Sequence, residues 1–293
     1  MLSHKPNTFD YSLFFLISLI AASTFAGIKF AVEGYDIYQV TFGRSLMASL
    51  VLWTFALLFG KVNLKSCLRS WILIILISLF GSLIPFTLLN WSGQRIPSAL
   101  SGLLWATLPF FGIILVHFFT DDEKFSSNKG LGLFLGFLAV FIVSIGNLNA
   151  NVKLDLLPQI AVVLSALCYA LAGLFQRRLK VSIDPLVLSA TTMSLTALLS
   201  FIFFDFDPYI FKLEDSSFFG LFYLALVPTA ALQFLRMYLI KRSGYTLASY
   251  TGFTVPVFAV FIGLFALSED LPSYSITALA MLFIALILSQ QRS

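Results

Sequence analysis

Charge is scarce in this chain: 11% of its 293 residues are Asp, Glu, Lys or Arg, where a soluble protein carries about 25%. Hydrophobic residues make up 59% and the mean hydropathy is +0.95, so no stretch is left over for a soluble domain. Cysteine and histidine are scarcer still, two of each. Cys67 falls in a loop and Cys168 within an apolar run, which excludes a disulfide scaffold and leaves no metal-ligand cluster. Also missing are an H-E-x-x-H and a P-loop, and with them zinc-protease and P-loop chemistry; neither metal nor cofactor is expected. The fourteen acids all fall in loops or near the ends of apolar runs, so the buried carboxylate relay of many proton-driven pumps is absent.

What is there is a series of long apolar runs. A membrane-crossing helix needs about 20 mostly apolar residues. Polar breaks divide the chain into ten such pieces, at about 11–31, 37–59, 71–93, 97–120, 129–148, 156–176, 185–204, 217–240, 246–268 and 272–290. The first follows His4 and Lys5, but it is too long for a cleavable signal and runs into Gly27, Lys29 and Glu33 without a small-residue cleavage site. It reads as a retained helix. One set of loops holds Lys5, Lys61, Lys65, Arg69, Lys124, Lys129, Arg177, Arg178, Lys180, Lys241, Arg242 and Arg292; the other holds Lys29, Arg95, Lys153 and Lys212. Twelve basic residues against four place both termini in the cytoplasm. The net charge of +4 therefore reflects topology, and no nucleic-acid partner is expected.

Residues 95–123 reappear in outline at 242–270, a shift of 147 that superposes Arg95 on Arg242, Pro109 on Pro256 and Asp122 on Glu269. Because 147 is close to half of 293, the repeat unit is the half-chain, residues 1–148 and 149–293, with five spans in each. An odd number of spans turns the second half over. The expected fold is an all-α integral membrane protein of ten transmembrane helices, arranged as two inverted five-helix repeats. Two such halves can exchange conformations around one central site, the architecture of secondary transporters.

Each half resembles one EamA domain of the drug/metabolite transporter superfamily. The resemblance rests on a span-2 arginine (Arg44), a hairpin with small residues (Pro97, Ser98, Ala99; Gly244, Ala248, Ser249), a mid-helix proline (Pro109, Pro256) and an acid thirteen residues on (Asp122, Glu269). It covers nearly the whole chain and implies a ten-helix carrier; many bacterial members export amino acids or other small metabolites. The chain departs from the family where Ala21 and Ala22 precede Ser23 and Thr24, the family often having Trp-Gly there. Asp121, Asp122 and Glu123 also leave the first acid's equivalent open.

Pro109 and Pro256 each remove a backbone donor near mid-helix, giving a kink that serves either a gate or simple bending. Arg44 lies roughly 10 Å below the surface at 1.5 Å per residue and either caps helix carbonyls or attracts an anionic group. Arg236 is four residues from a span end and is expected to snorkel to the interface. His117 is the one titratable alternative within a span, read as packed or interfacial. Candidate cavity residues lie on the spans that line the cavity in the family this chain resembles: Thr24, Asn90, Trp105, Tyr169, Gln233 and Tyr250. Trp105 and Gln233 are the deepest, and an aromatic wall with a few hydrogen-bonding groups suits a small amphipathic metabolite. Gly132 and Gly136 form a G-x-x-x-G read as internal packing.

The expected protein is a multi-pass cell-membrane carrier, in the inner membrane if the source is Gram-negative. It moves a small organic metabolite, an amino acid or a related compound, outward by alternating access. Its partners are that small molecule and the lipid bilayer, with monomer and homodimer both open. The alternatives are a nucleotide-sugar or phosphate-ester exchanger of the same superfamily, and a channel or membrane enzyme. An exchanger would gather several basic residues around a phosphate, and only Arg44 and Arg236 lie within spans.

Overall fold

The structure is a computed structural model that describes residues 7–119, 130–132, 134–136, 138–139, 142, 156–179, 183–204, 216–243, 247, 251–269 and 274–290. The described residues hold helices and no strand. Six helices are long and apolar enough to cross a bilayer: Thr8–Gly34, Ile37–Phe59, Trp71–Gly93, Ser98–Phe119, Leu156–Arg177 and Ser216–Ile240. Two shorter apolar helices, Pro185–Phe201 and Thr254–Ala266, join them.

In chain order we label α1 (Thr8–Gly34), α2 (Ile37–Phe59), the short α3 (Leu64–Arg69), α4 (Trp71–Gly93), α5 (Ser98–Phe119), α6 (Leu156–Arg177) and α7 (Pro185–Phe201). These are followed by α8 (from Ser216 to Ser243), α9 (Thr251–Ala266) and α10 (Tyr274–Gln290). Residues 130–132, 134–136, 138–139 and 142 are helical too, inside the expected 129–148 span. There Gly136 abuts the Phe110 ring, the internal packing expected of the G-x-x-x-G.

Caps set several starts. Asn7 and Asp10 form a capping box on α1, Asp36 and Gln39 another on α2, each satisfying two otherwise unpaired N–H groups. Asp184 caps α7, whose first residue is Pro185, a position that needs no N–H donor. Once inside, Ser and Thr hydroxyls return to their own helix, as Ser18 does to Phe14 and Thr196 to Thr192, which removes their polarity from the apolar surroundings. Leu50, Leu57, Phe59, Leu198, Phe219 and Phe265 point outward and exposed; a surface of this kind is stable only against lipid.

Three long helices are interrupted. Within α4 a π-helical turn spans Leu79–Leu83, and within α8 another spans Leu226–Ala231. These are equivalent positions under the 147-residue shift, since Leu79 falls on Leu226. Prolines explain them in part: Pro85 follows the first turn and Pro228 lies in the second, and a proline cannot complete the usual i to i−4 ladder. In α5 a 3-10 turn at Trp105–Thr107 precedes Pro109, while α9 runs on through Pro256.

The packing pairs follow the same shift, under which α1, α2, α4 and α5 correspond to α6, α7, α8 and α9. Helix α1 lies against α9 and α8, and α6 correspondingly against α5 and α4. Helix α2 meets α8 as α7 meets α4. The remaining two major contacts, α2 with α7 and α5 with α9, join corresponding helices to each other. At the α5–α9 crossing a Cβ on Gly102 would overlap that of Ala259, and one on Gly263 would lie 2.7 Å from Ala99. Small residues let these two backbones touch.

Candidate functional site

A narrow polar cleft opens between α4, α6 and α8. Helix α6 contributes Tyr169, Ala172, Gly173 and Gln176, α8 contributes Gln233 and Arg236, and α4 contributes Ile77, Gly81 and Ser82. On α6 these follow an i, i+3, i+4, i+7 spacing, one face of a helix, and Gln233 and Arg236 share a face of α8 for the same reason. The π-helical turn of α4 supplies Gly81 and Ser82, and Gly81 leaves room for Ala172 of α6 at 3.1 Å from where a Cβ would stand. The cleft is about 10 Å³, space for roughly one water. Arg236 is half-buried, and its Nε is buried without a hydrogen-bond partner among the described residues.

Above the cleft sits Arg44, 1% exposed. Its Nε and Nη2 donate to Thr229 Oγ1 at 3.1 and 2.9 Å, and its guanidinium lies 3.8 Å from the centre of the Phe86 ring. The Thr229 hydroxyl donates a hydrogen bond to the Leu224 carbonyl at 2.6 Å. Those two are five positions apart, and Thr229 lies in the π turn. Arg44 is thus tied to helix carbonyls through one intervening hydroxyl, and its Nη1 is left buried without a partner among the described residues. Tyr169 lies within electrostatic range of both Arg44 and Arg236.

An aromatic wall closes the middle. Trp105 meets Tyr169 edge to face at 4.8 Å and Phe25 at 6.0 Å, joining α5, α6 and α1. The 3-10 turn places Trp105 there. Pro109 stands against Gly252 of α9, 3.1 Å from where a Cβ would be, and Pro256 is buried in α9.

The two ends of α1 carry the remaining charges, about 28 Å apart at 1.5 Å per residue. At one end Asp10 accepts from Arg242 Nε at 2.6 Å. At the other, Glu269 accepts from the N–H groups of Ser98 and Ala99 at 2.8 and 3.0 Å and pairs with Lys29 Nζ at 3.2 Å. Glu269 therefore sits on the first turn of α5, where unpaired N–H groups favour an anion. It is brought there by a tight turn after α9, with Leu267 N–H returning to the Ile262 carbonyl and Glu269 N–H to that of Gly263. Ser268 takes the left-handed region at φ 51°, which costs a non-glycine residue about 1–2 kcal/mol. Burial alone would raise the Glu269 pKa; the N–H groups of Ala99 and Ser98 and the Lys29 ammonium outweigh it and hold the carboxyl below its usual value.

Beside this latch lies a second cleft, lined by Phe25, Ile28, Lys29, Leu89, Gly93, Ile96, Ser98 and Ser101, with no room for a water.

Of the expected site residues, Trp105, Tyr169, Gln233 and Arg44 are brought together. Asn90 is not among them: it is fully buried and its amide donates to Thr41 Oγ1 at 3.0 Å and to the Ile37 carbonyl at 3.3 Å, fastening α4 to α2. Thr24 is half-buried and lines neither cleft. Tyr250 and the acids 121–123 lie outside the described residues. Sequence reasoning missed Gln176 and the role of Arg236. The i, i+7 spacing from Tyr169 to Gln176 was a signal for the first. The repeated acid marked Glu269 without marking its partners.

The EamA-like transporter family matches residues 8–145 and again 156–290. An uncharacterized transporter of Buchnera aphidicola subsp. Schizaphis graminum is 24% identical over 270 residues, 90% of this chain and 88% of that one. The uncharacterized transporter YdfC of Bacillus subtilis is 25% identical over 243 residues, 82% of this chain and 78% of its own. A protein solved by crystallography superposes with a TM-score of 0.68 over 97% of both chains at 15% identity, a likeness that speaks for the fold alone. With its two family matches spanning nearly the whole sequence and its apolar helices, the chain is a multi-pass cell-membrane protein and belongs to the EamA-like transporter family.

Proposed function

We propose that the protein is a secondary carrier that exports a small organic metabolite, an amino acid or a close relative, by alternating access. In this reading the chain forms ten transmembrane helices in two inverted repeats, residues 1–148 and 149–293, with both termini in the cytoplasm. The Asp10 end then faces the cytoplasm and the Glu269 end faces outward. The observation that carries the reading is the one-sided state of two equivalent clefts. The cleft at the Glu269 end is dry and latched, while its counterpart at Arg236 is polar and admits a water. The matching helix pairs and the twin π-helical turns support the two-fold relation between the halves.

Trp105, Tyr169, Gln233 and Arg44 form the central wall in this proposal, and Thr24 and Tyr250 remain candidate substrate contacts. Pro109 and Pro256 mark the positions where α5 and α9 flex as the ends exchange. Counterflow in proteoliposomes preloaded with pooled amino acids tests it. Saturable exchange of at least one labelled amino acid is expected; no exchange would overturn the amino-acid cargo, and ohmic flux would overturn the carrier reading.

A further inference from the structure

Resting on the carrier reading, we propose that the cleft between α4, α6 and α8 is a carboxylate site in which Arg236 receives the acid group of the cargo. The cargo is then a small organic monoanion or zwitterion; the cleft, which now has room for about one water, widens to admit it, and the Gln233 and Gln176 amides and the Tyr169 hydroxyl bond its remaining polar groups.

Two arginines lie within the spans, Arg44 fully buried and Arg236 half-buried with its Nε inside, and the sequence places no acid there to balance them. Arg44 has Thr229 and the Phe86 ring, leaving Nη1 unpartnered, and it does not line the cleft. Arg236 lines the cleft, with its buried Nε unpartnered among the described residues. A guanidinium left unpaired in a low-dielectric interior is costly, and a carboxylate that accepts from Nε–H and a neighbouring Nη–H in parallel removes that cost. Both guanidiniums lie within electrostatic range of Tyr169, and the cleft lining holds a cation and no acid, so its net charge is positive.

Three cargo classes fare worse. An amine would be repelled by this charge. A neutral nucleoside would leave Arg236 unpaired. A phosphate ester calls for several cationic side chains around one group, and the cleft offers a single one. The counterpart of Arg236 in the first half is Leu89, in the second cleft, so the acid group has one docking point and not two.

The test uses the full-length protein in proteoliposomes with four separate probe pools: labelled amino acids, lactate with pyruvate, primary amines with nucleosides, and sugar phosphates. Exchange is expected in one of the first two pools, and converting the carboxylate of the best probe to its carboxamide should weaken competition at least tenfold. Arg236→Gln should raise KM about tenfold or more and abolish the discrimination between acid and amide, while Arg236→Lys restores part of it. Monodisperse size-exclusion profiles for both variants separate this from misfolding. If only amines, nucleosides or sugar phosphates exchange, or if Arg236→Gln keeps the acid-over-amide preference, the carboxylate site is wrong and the carrier stands. If no pool exchanges, carrier and site both fall.

Discussion

The two clefts occupy equivalent places and hold opposite chemistry. Under the 147-residue shift Phe25 corresponds to Ala172, Lys29 to Gln176 and Leu89 to Arg236, and each of these six residues lines its own cleft. The first-half cleft is mostly apolar and holds no water; the second-half cleft presents two amides, a phenol and a guanidinium. Closure at the first depends on a buried carboxylate against a helix N-terminus, with an ion pair beside it. Each cleft lies mainly on helices of a different family match, residues 8–145 and 156–290, and a few side chains make one apolar and the other polar.

The largest effect expected is at the contact that has no counterpart. Arg44 corresponds to Thr191 in the second half, and Thr229 to Ser82 in the first, so the guanidinium-to-hydroxyl tie exists once. Thr229→Val keeps the shape but strips Arg44 of its hydrogen-bond acceptor. A buried charged donor that loses its neutral acceptor costs about 1.5–3 kcal/mol, and a large fall in the detergent melting temperature is expected. Arg44→Met should cost less, because Thr229 keeps its bond to the Leu224 carbonyl and the burial penalty of the charge is removed. Equal melting temperatures for the two variants would mean that Arg44 finds another partner.

Next comes the α5–α9 crossing. Gly102→Ala puts a methyl group into the space of Ala259, an overpacking that costs about 1–3 kcal/mol, and forces the helices apart at the Glu269 end. Gly112→Ala is the control, since a Cβ there meets nothing within 4 Å among the described residues. Exchange in proteoliposomes should fall at least tenfold in the first variant and stay within about twofold of the parent in the second, where a helical Gly to Ala change is itself mildly favourable. Similar losses in both would place the tight crossing outside the transport cycle.

The latch can be read by labelling. In a Cys67→Ser, Cys168→Ser background, a cysteine introduced by Ser101→Cys lies in the closed cleft and should react slowly with a membrane-impermeant maleimide. Glu269→Gln removes the charge facing the Ser98 and Ala99 N–H groups. The loss of about 1.4 kcal/mol corresponds to roughly tenfold more open state and faster labelling. Acid should mimic the substitution. Because the Glu269 pKa is held below its usual value when latched, the latch is at full strength above the ordinary carboxylate range, weakening only as pH drops through and below about 4. Because the thiolate fraction itself falls with pH, the rate is taken relative to an exposed reference cysteine at the same pH; a ratio flat from pH 7 to pH 3.5 in the parent would rule out the carboxylate as the element that holds this end shut.

Most of the helices could be read directly because bilayer-crossing segments announce themselves by length and hydropathy alone; Ile37–Phe59 and Trp71–Gly93 stand where the polar breaks predict them. The repeat was legible for the same reason, through Pro109, Pro256 and Glu269. What escaped was direction. A helix apolar on nearly every side carries no amphipathic stripe to show which face turns inward, so Asn90 looked like a cavity residue and is a fastener, while Arg236 looked interfacial and lines the cleft. The π-helical turns compound this: each widens the helix without changing its composition and rotates everything beyond it. Lys29 and Glu269 are 240 residues apart, and no local pattern joins them.

The smallest effect expected is at the Asp10 end, where the charge pair looks similar and should behave differently. Arg242 is 35% exposed and its partner carboxylate also serves the α1 cap, accepting from the Asn7 N–H at 2.9 Å. When Asp10→Asn removes the charge, the side-chain carbonyl can still accept from Asn7, and Arg242 keeps water and the Phe9 ring 5.2 Å away. At the Glu269 end Lys29, 38% exposed, also keeps water, but the Ser98 and Ala99 N–H groups use both carboxylate oxygens, and a glutamine offers them a single carbonyl. A cysteine placed by Gln176→Cys in the open cleft should therefore label at a rate changed by no more than about twofold when Asp10→Asn is added. A tenfold change there would make the two ends equal in strength; the single latch at Glu269 would then not explain why the first-half cleft is the closed one.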